Sequence, residues 1–293
     1  MKPYIKYAED VLSGKIVAGE LIQLACKRFL DDLKRPDLVF KEDKVDRAIR
    51  FIGLFHHFKG EVSGQKFNLL PWQTFIIANI VGLYYKDSGT RKYTRSYIEV
   101  SRKQGKTATI AALAVYFMVA DGEDGAEVDL AANSKDQAKI AFEFCSTFAN
   151  QIDKKGKYFH CLRDNIYYKP NKSKMVVFAA DDTKLDGFNA SFGIIDEFHA
   201  AKNSKVYDVI KSSMGMRKNP HLCAITTAGF NMSSPCYRLR NTCIEVLKGL
   251  KEEDSLFPAI YEMDINDDWT DSNNWIKCAP NLGVTVKKKY LKD

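Results

Sequence analysis

The chain has 293 residues, of which 45% are apolar and 28% charged, enough for one large or two smaller globular cores. Its 44 basic and 37 acidic residues give a net charge of +7, a lean towards polyanions that is also ordinary solvated surface. Seven scattered cysteines without a CxxC pair argue against a zinc site or a disulfide framework, and the N-terminus lacks the apolar centre of a signal peptide. A reducing, cytoplasmic setting is the simplest expectation.

Residues 1–64 read as a helical region, with apolar residues at helical spacing over 19–35 and 44–60. Gly60 and Gly64 break the pattern. Helix resumes at Pro71, a good first-turn residue, in PWQTFIIANIVGLYY. From Arg95 the pattern changes. SYIEVS (96–101) is a short strand, followed by a glycine-containing turn and an apolar helix over 105–120. The apolar run at 108–120 is too short to span a bilayer. EVDLAAN (127–133) is the next strand. It leads through Ser134 and Gln137, a capping-box pattern, into a helix ending near Ile152.

Short strands follow at 158–162, 165–169 and 174–180, the first two hairpin-like. FGIID (192–196) and LCAIT (222–226) are apolar strands, each followed by a helix. Strands alternating with helices imply an α/β fold: a mostly parallel sheet flanked by helices, with ligands at the carboxyl ends of strands. A last strand is expected within SLFPAIYEM (255–263), either extending that sheet or opening a lid.

Four stretches at those strand ends carry chemistry. Ser101-Arg102-Lys103-Gln104-Gly105-Lys106-Thr107 sits between a strand and a helix. Backbone N–H groups there can cradle an anion, Lys106 can neutralise phosphate oxygens and the Thr107 hydroxyl can hold Mg²⁺. The usual first glycine is Val100, so a chance Gly-Lys-Thr is the bland alternative. In FGIIDEFHA, Asp196 and Glu197 end an apolar strand. Asp196 suits Mg²⁺ through water and Glu197 suits an attacking water; a solvated strand end is the alternative. Thr226, Thr227 and Gly229 could sense a γ-phosphate, or simply form a Thr-rich turn. Gln73, beside Trp72, has an amide that matches adenine, or belongs to a helix's first turn over a buried tryptophan.

In this order the four stretches resemble the large terminase subunit of tailed bacteriophages, over about 67–235. SRKQGKT looks like the family's variant of the Walker A phosphate loop, in which the first glycine is commonly replaced and a basic residue comes early. LDGFNASFGIIDEFHA (185–200) is similar to its Walker B region, TTAG to its coupling motif, and Trp72-Gln73 to its adenine-binding position.

The resemblance implies a P-loop NTPase of the additional-strand, catalytic-glutamate class that uses ATP and Mg²⁺. It implies Glu197 as the catalytic acid and Arg102 as the first candidate for an arginine that stabilises the transferring phosphoryl. A neighbouring subunit's arginine is the alternative. It further implies double-stranded DNA, a portal protein and a small terminase subunit as partners. A ring of about five subunits is implied on the procapsid, with a monomer in isolation.

The implied layout is a helical region (1–64), an ATPase domain (65–250) and a lid or linker (251–293). A C-terminal nuclease domain would lie beyond it. The acids after Leu250, among them Asp264, Asp267 and Asp268, are expected to be solvated rather than metal-bound. Asp196-Glu197-Phe198-His199 also spells a DExH box. A nucleic-acid helicase is therefore the main rival, needing a second RecA-like domain. A metabolite kinase and a non-catalytic nucleotide-gated scaffold are the others.

Overall fold

A computed structural model describes residues 1–179 and 187–289. The N-terminal part is helical: α1 (Pro3–Leu12), α2 (Glu20–Asp32), α3 (Glu42–Ile52) and α4 (Pro71–Gly82), with Pro71 at the first helical turn as expected. Two three-residue strands, β1 (Leu38–Phe40) and β2 (Leu83–Tyr85), pair antiparallel. The sequence pattern had assigned Leu83–Tyr85 to the end of the helix. The helix instead stops at Gly82, where any Cβ would lie 2.4 Å from the Phe40 ring and 2.8 Å from Val45. Glycine lets β1 cross close to the helix end, and the β-forming residues Leu83–Tyr85 then pair with it.

The rest alternates as expected: β3 (Arg95–Glu99), α5 (Lys106–Val119), β4 (Glu127–Ala132), α6 (Lys135–Ile152), β5 (Phe159–Cys161), β6 (Asn165–Tyr168), β7 (Ser173–Ala179), β8 (Phe192–Asp196), α7 (Lys205–Ser213), β9 (His221–Thr226), α8 (Pro235–Leu247) and β10 (Leu256–Ile260). Ser134 caps α6, its Oγ accepting from the Gln137 N–H at 3.3 Å. Strands β5 and β6 form the expected hairpin.

The strands make one sheet in the order β10-β3-β9-β8-β4-β7-β6-β5. From β10 to β7 all neighbours run parallel; β6 and β5 are antiparallel. Strand β9 separates β3, which leads into the phosphate loop, from β8, which carries the acid pair. That inserted strand is the feature for which the additional-strand class is named. Helix α5 is apolar on nearly every face and almost wholly buried, which accounts for the run at 108–120.

Strand β10 extends the sheet beside β3. Its Phe257 ring lies 5.9 Å from Phe75 of α4, and Phe75 in turn lies 5.5 Å from Phe29 of α2. One continuous apolar core therefore runs from α1 to the end of β10. Neither Gly64 nor Leu250 marks a break in it. Among the described residues no helix is long and apolar enough to cross a membrane.

Candidate active site

The carboxyl ends of β3, β8 and β9 lie side by side because the three strands are parallel and adjacent. Val100 follows β3, fully buried, its N–H bonded to the Thr226 carbonyl at 3.2 Å. An apolar residue fits there because the chain is still packed in the sheet. The turn comes later. Lys103 (φ 66°) and Gly105 (φ 72°) are both left-handed, and Gly105 caps α5. Such backbone costs roughly 1 kcal/mol or more at a non-glycine residue and clusters at ligand sites. Among the described residues the N–H groups of 102–105 find no protein acceptor. With the positive end of α5 behind them they form an anion cradle.

Lys106 and Thr107 open α5 facing the acid pair. Lys106 Nζ lies 3.4 Å from Glu197 Oε1, and Thr107 Oγ1 donates to Asp196 Oδ2 at 3.0 Å. Glu197 is itself left-handed (φ 52°), a second strained position at the same site. Its Oε2 is buried without a hydrogen bond. His199 Nδ1 comes within 3.2 Å of that oxygen, but it sits 3.0 Å from Thr226 Oγ1 and bonds there.

Burial raises the Glu197 carboxyl, but His199 and Lys106 outweigh it and hold it at about 2. Burial, and then the Glu197 charge, push the Asp196 carboxyl above its ordinary value. The two neighbouring acids thus diverge, one kept charged by cations and the other strained by burial.

The expected coupling residues meet this pair through His199. Thr226 Oγ1 accepts from the His199 N–H at 2.9 Å, and Thr227 Oγ1 lies 3.4 Å from its Nδ1. Gly229 leaves room for it, since a Cβ there would come 2.8 Å from the His199 Cβ. In the sequence His199 is part of a DExH spelling; its place between Glu197 and β9 arises from strand adjacency. Arg102 and Lys103 are exposed, and Arg102 makes no ion pair with described residues.

Three residues expected to contact the nucleotide have partners within the protein. Gln73 was expected to show its amide to adenine. Its Oε1 accepts from the Leu70 N–H at 2.8 Å and its Nε2 donates to Thr109 Oγ1 at 2.7 Å, with the side chain buried. These bonds take one of the two Oε1 lone pairs and one of the two Nε2 protons and fix the amide between α4 and α5. Trp72 is likewise buried, and its Nε1 donates to Asn281 Oδ1 at 2.7 Å. Gln104 is fully buried, its amide bonded to the Asn281 N–H and the Arg102 carbonyl. Two cavities border the loop instead. One, of about 400 Å³, reaches Ser101, His199, Gly229 and Arg240. The other, of about 510 Å³, lies among Val62, Lys103, Val286 and Lys287. Ser101 Oγ is buried without a partner beside the first. Residues 185 and 186 of the expected Walker B region lie outside the described residues.

The donor set suits a hard cation. Thr107 Oγ1 and the Asp196 carboxylate offer oxygen donors side by side, and among the described residues no cluster of three acid, His or Cys side chains forms a separate metal cage. Mg²⁺ is commonly held in this way, by one or two protein oxygens together with substrate phosphates.

Residues 71–245 match the family model described as the ATPase domain of the terminase large subunit. The chain belongs to that family. The match, rather than the DEFH spelling, separates it from DExH helicases. It is 22% identical over 260 residues to the terminase large subunit of Lactococcus phage p2, covering 85% of this chain and 47% of that protein. A 106-residue stretch is 41% identical to protein YmfN of Escherichia coli (strain K12), covering 36% of this chain and 23% of YmfN. Among solved structures, the HK97 bacteriophage large terminase superposes with a TM-score of 0.70 at 22% identity. That covers 85% of this chain and 50% of the HK97 protein. This terminase ATPase chain spans about half the length of the terminase large subunits it matches, and the HK97 likeness is one of fold.

Proposed function

We propose that the chain is the ATPase motor portion of a phage DNA-packaging terminase, coupling ATP hydrolysis to movement of double-stranded DNA into a procapsid. The observation that carries this reading is the pairing across adjacent elements of Lys106-Thr107 with Asp196-Glu197. Lys106 neutralises phosphate oxygens. Thr107 and Asp196 would hold Mg²⁺, which supplies charge neutralisation across the β- and γ-phosphates when bound with nucleotide.

Lys106 rests on Glu197. Phosphate oxygens compete for that ammonium, and Glu197 is then relieved of one of the charges that keep it acidic. Its Oε2, which makes no hydrogen bond and has His199 Nδ1 3.2 Å away, would accept from an attacking water. At about 2 it is a weak base while Lys106 is near, so its first task is to orient and polarise water. The water oxygen attacks the γ-phosphorus, the bond to the β–γ bridging oxygen breaks, ADP leaves, and the water's proton passes to Glu197 or to the phosphate formed. Arg102, exposed on the loop, is the first candidate to stabilise the transferring phosphoryl within one subunit. His199 links Glu197 to Thr226 and Thr227, a route from hydrolysis to the β9 end.

By this reading the chain acts in the host cytoplasm as one of a ring of subunits on a portal protein, served by a small terminase subunit. The test is ATP turnover with and without double-stranded DNA, in wild type and in Lys106→Ala. Stimulated turnover that Lys106→Ala abolishes supports it; turnover at the wild-type rate in Lys106→Ala would sink it.

A further inference from the structure

The phosphate loop is held from behind by a segment that the site as so far described does not use. After β10 the chain returns across the loop. The Cys278 carbonyl accepts from the Ser101 N–H at 3.3 Å. Three residues on, Asn281 is 4% exposed, and its N–H and side chain make four bonds. Its backbone N–H donates to Gln104 Oε1 at 2.8 Å, and its Nδ2 donates to the Gln104 carbonyl at 3.1 Å and to Thr285 Oγ1 at 2.9 Å. Its Oδ1 accepts from Trp72 Nε1 at 2.7 Å. Gln104 passes the constraint on, since its Nε2 donates to the Arg102 carbonyl at 3.2 Å. The strained turn at Lys103 lies between those two bonded residues.

The geometry points to Asn281 as a positioning residue that holds the phosphate loop in its anion-binding shape through Gln104. The physical reason lies in the loop's own conformation. A left-handed lysine and a left-handed glycine separated by one residue turn successive N–H groups towards one side, and the local bond across that turn is the one Gln104 makes to the Arg102 carbonyl. Gln104 is the loop residue pointing away from the anion. Fixing its amide and its carbonyl at once fixes the peptide planes on either side of it. Asn281 does both, and by also accepting from Trp72 it ties α4, the loop and the segment after β10 into one unit. Without the Asn281 side chain the Gln104 carbonyl and the Trp72 N–H lose their partners, while the Asn281 backbone N–H still meets the Gln104 amide; the freed carbonyl lets the loop leave the anion-binding turn.

This inference deepens the nucleotide-site reading and rests on it. The test is binding of a fluorescent methylanthraniloyl-ATP with Mg²⁺, alongside thermal melting, for Asn281→Ala, Gln104→Met and the pair. Gln104→Met keeps the side chain's length and removes the amide from the loop side, so it serves if Asn281→Ala does not fold. Each single change is expected to weaken binding on the order of 10-fold in a protein that still melts cooperatively. Asn281→Ala frees the Gln104 carbonyl and Gln104→Met frees its amide, and either alone releases the same turn, so the pair should lose much less than the product of the two single losses. A lowered melting temperature with binding within about 2-fold of wild type would make the residue merely structural and overturn the inference. Losses that multiply in the pair would also overturn it, since Asn281 would then act by another route. Lys106→Ala in the same assay separates the two levels. If it abolishes binding while Asn281→Ala does not, only the positioning role fails. If it binds as wild type, the nucleotide-site reading fails and this inference with it.

Discussion

Two groups of acids, both at the ends of strands, differ in how their oxygens are used. At the end of β8, Asp196 and Glu197 are presented by a strained backbone towards a lysine and a threonine, and one Glu197 oxygen has no hydrogen bond at all. In the loop after β10, Asp264 and Asp267 both grip Lys277, at 2.8 and 2.7 Å. Asp264 also accepts from the Glu20 N–H at 2.7 Å, and Asp268 closes a turn onto Thr270. The second group holds more carboxylates, but their bonding capacity is largely spent inside the protein. Spare capacity in a half-buried place, rather than the number of acids, marks out the pair proposed to act on ATP.

The strongest way to break this contrast is Glu197→Gln, which keeps shape and removes charge. Hydrolysis should fall on the order of 10²-fold or more while ATP still binds. A variant that loses ATP binding but hydrolyses normally what it binds would reverse the roles given to Asp196 and Glu197.

Arg102 is tested next, by mixing Arg102→Ala subunits with Lys106→Ala subunits. An arginine acting on the phosphoryl group contributes on the order of 10³-fold. Each variant alone should be inactive. If Arg102 acts within its own subunit the mixture stays inactive; recovered hydrolysis would assign it to the neighbour.

The pH response sharpens the contrast further. The Glu197 value is depressed to about 2, so the stability it contributes is present above the ordinary carboxylate value of about 4.3 and is lost as pH falls towards 2. Hydrolysis measured across neutral pH should therefore show no limb that disappears in Glu197→Asp. Asp196 is shifted the other way, so its ionisation opposes folding as pH rises through its raised value. Asp196→Asn should gain melting temperature relative to wild type as pH increases in the absence of nucleotide and metal.

Smaller effects are expected from Gln73→Ala. Its two bonds tie the start of α4 to α5, so it should weaken ATP and GTP alike by a few-fold, with some loss of stability of about 1 kcal/mol. Selective loss of ATP would restore adenine recognition to Gln73. The smallest effect is at the other acids. Asp264→Asn with Asp267→Asn should leave plasmid DNA intact with Mg²⁺ or Mn²⁺, as in wild type, and cost only the tie to Lys277. Cleavage by the wild-type chain that these changes remove would give those acids a metal-binding role.

The sequence by itself determined the alternation of elements, the strand–loop–helix at 95–120, and the acid pair at the end of β8, because periodicity, Gly105 and paired charges are local features. The capping of α6 and the hairpin at β5–β6 were legible for the same reason. It could not show β1 and β2, three residues each, whose pairing depends on Phe40 crossing a bare Gly82. Nor could it show what the side chains of Gln73, Gln104 and His199 bond to. An amide or an imidazole has the same chemistry free or engaged, and only the tertiary structure decides which. Gln104 is joined to Asn281 across 177 positions of sequence, a distance over which no spacing rule operates. That contact exists because β10 lies beside β3, so the chain leaving the sheet there must pass behind the phosphate loop.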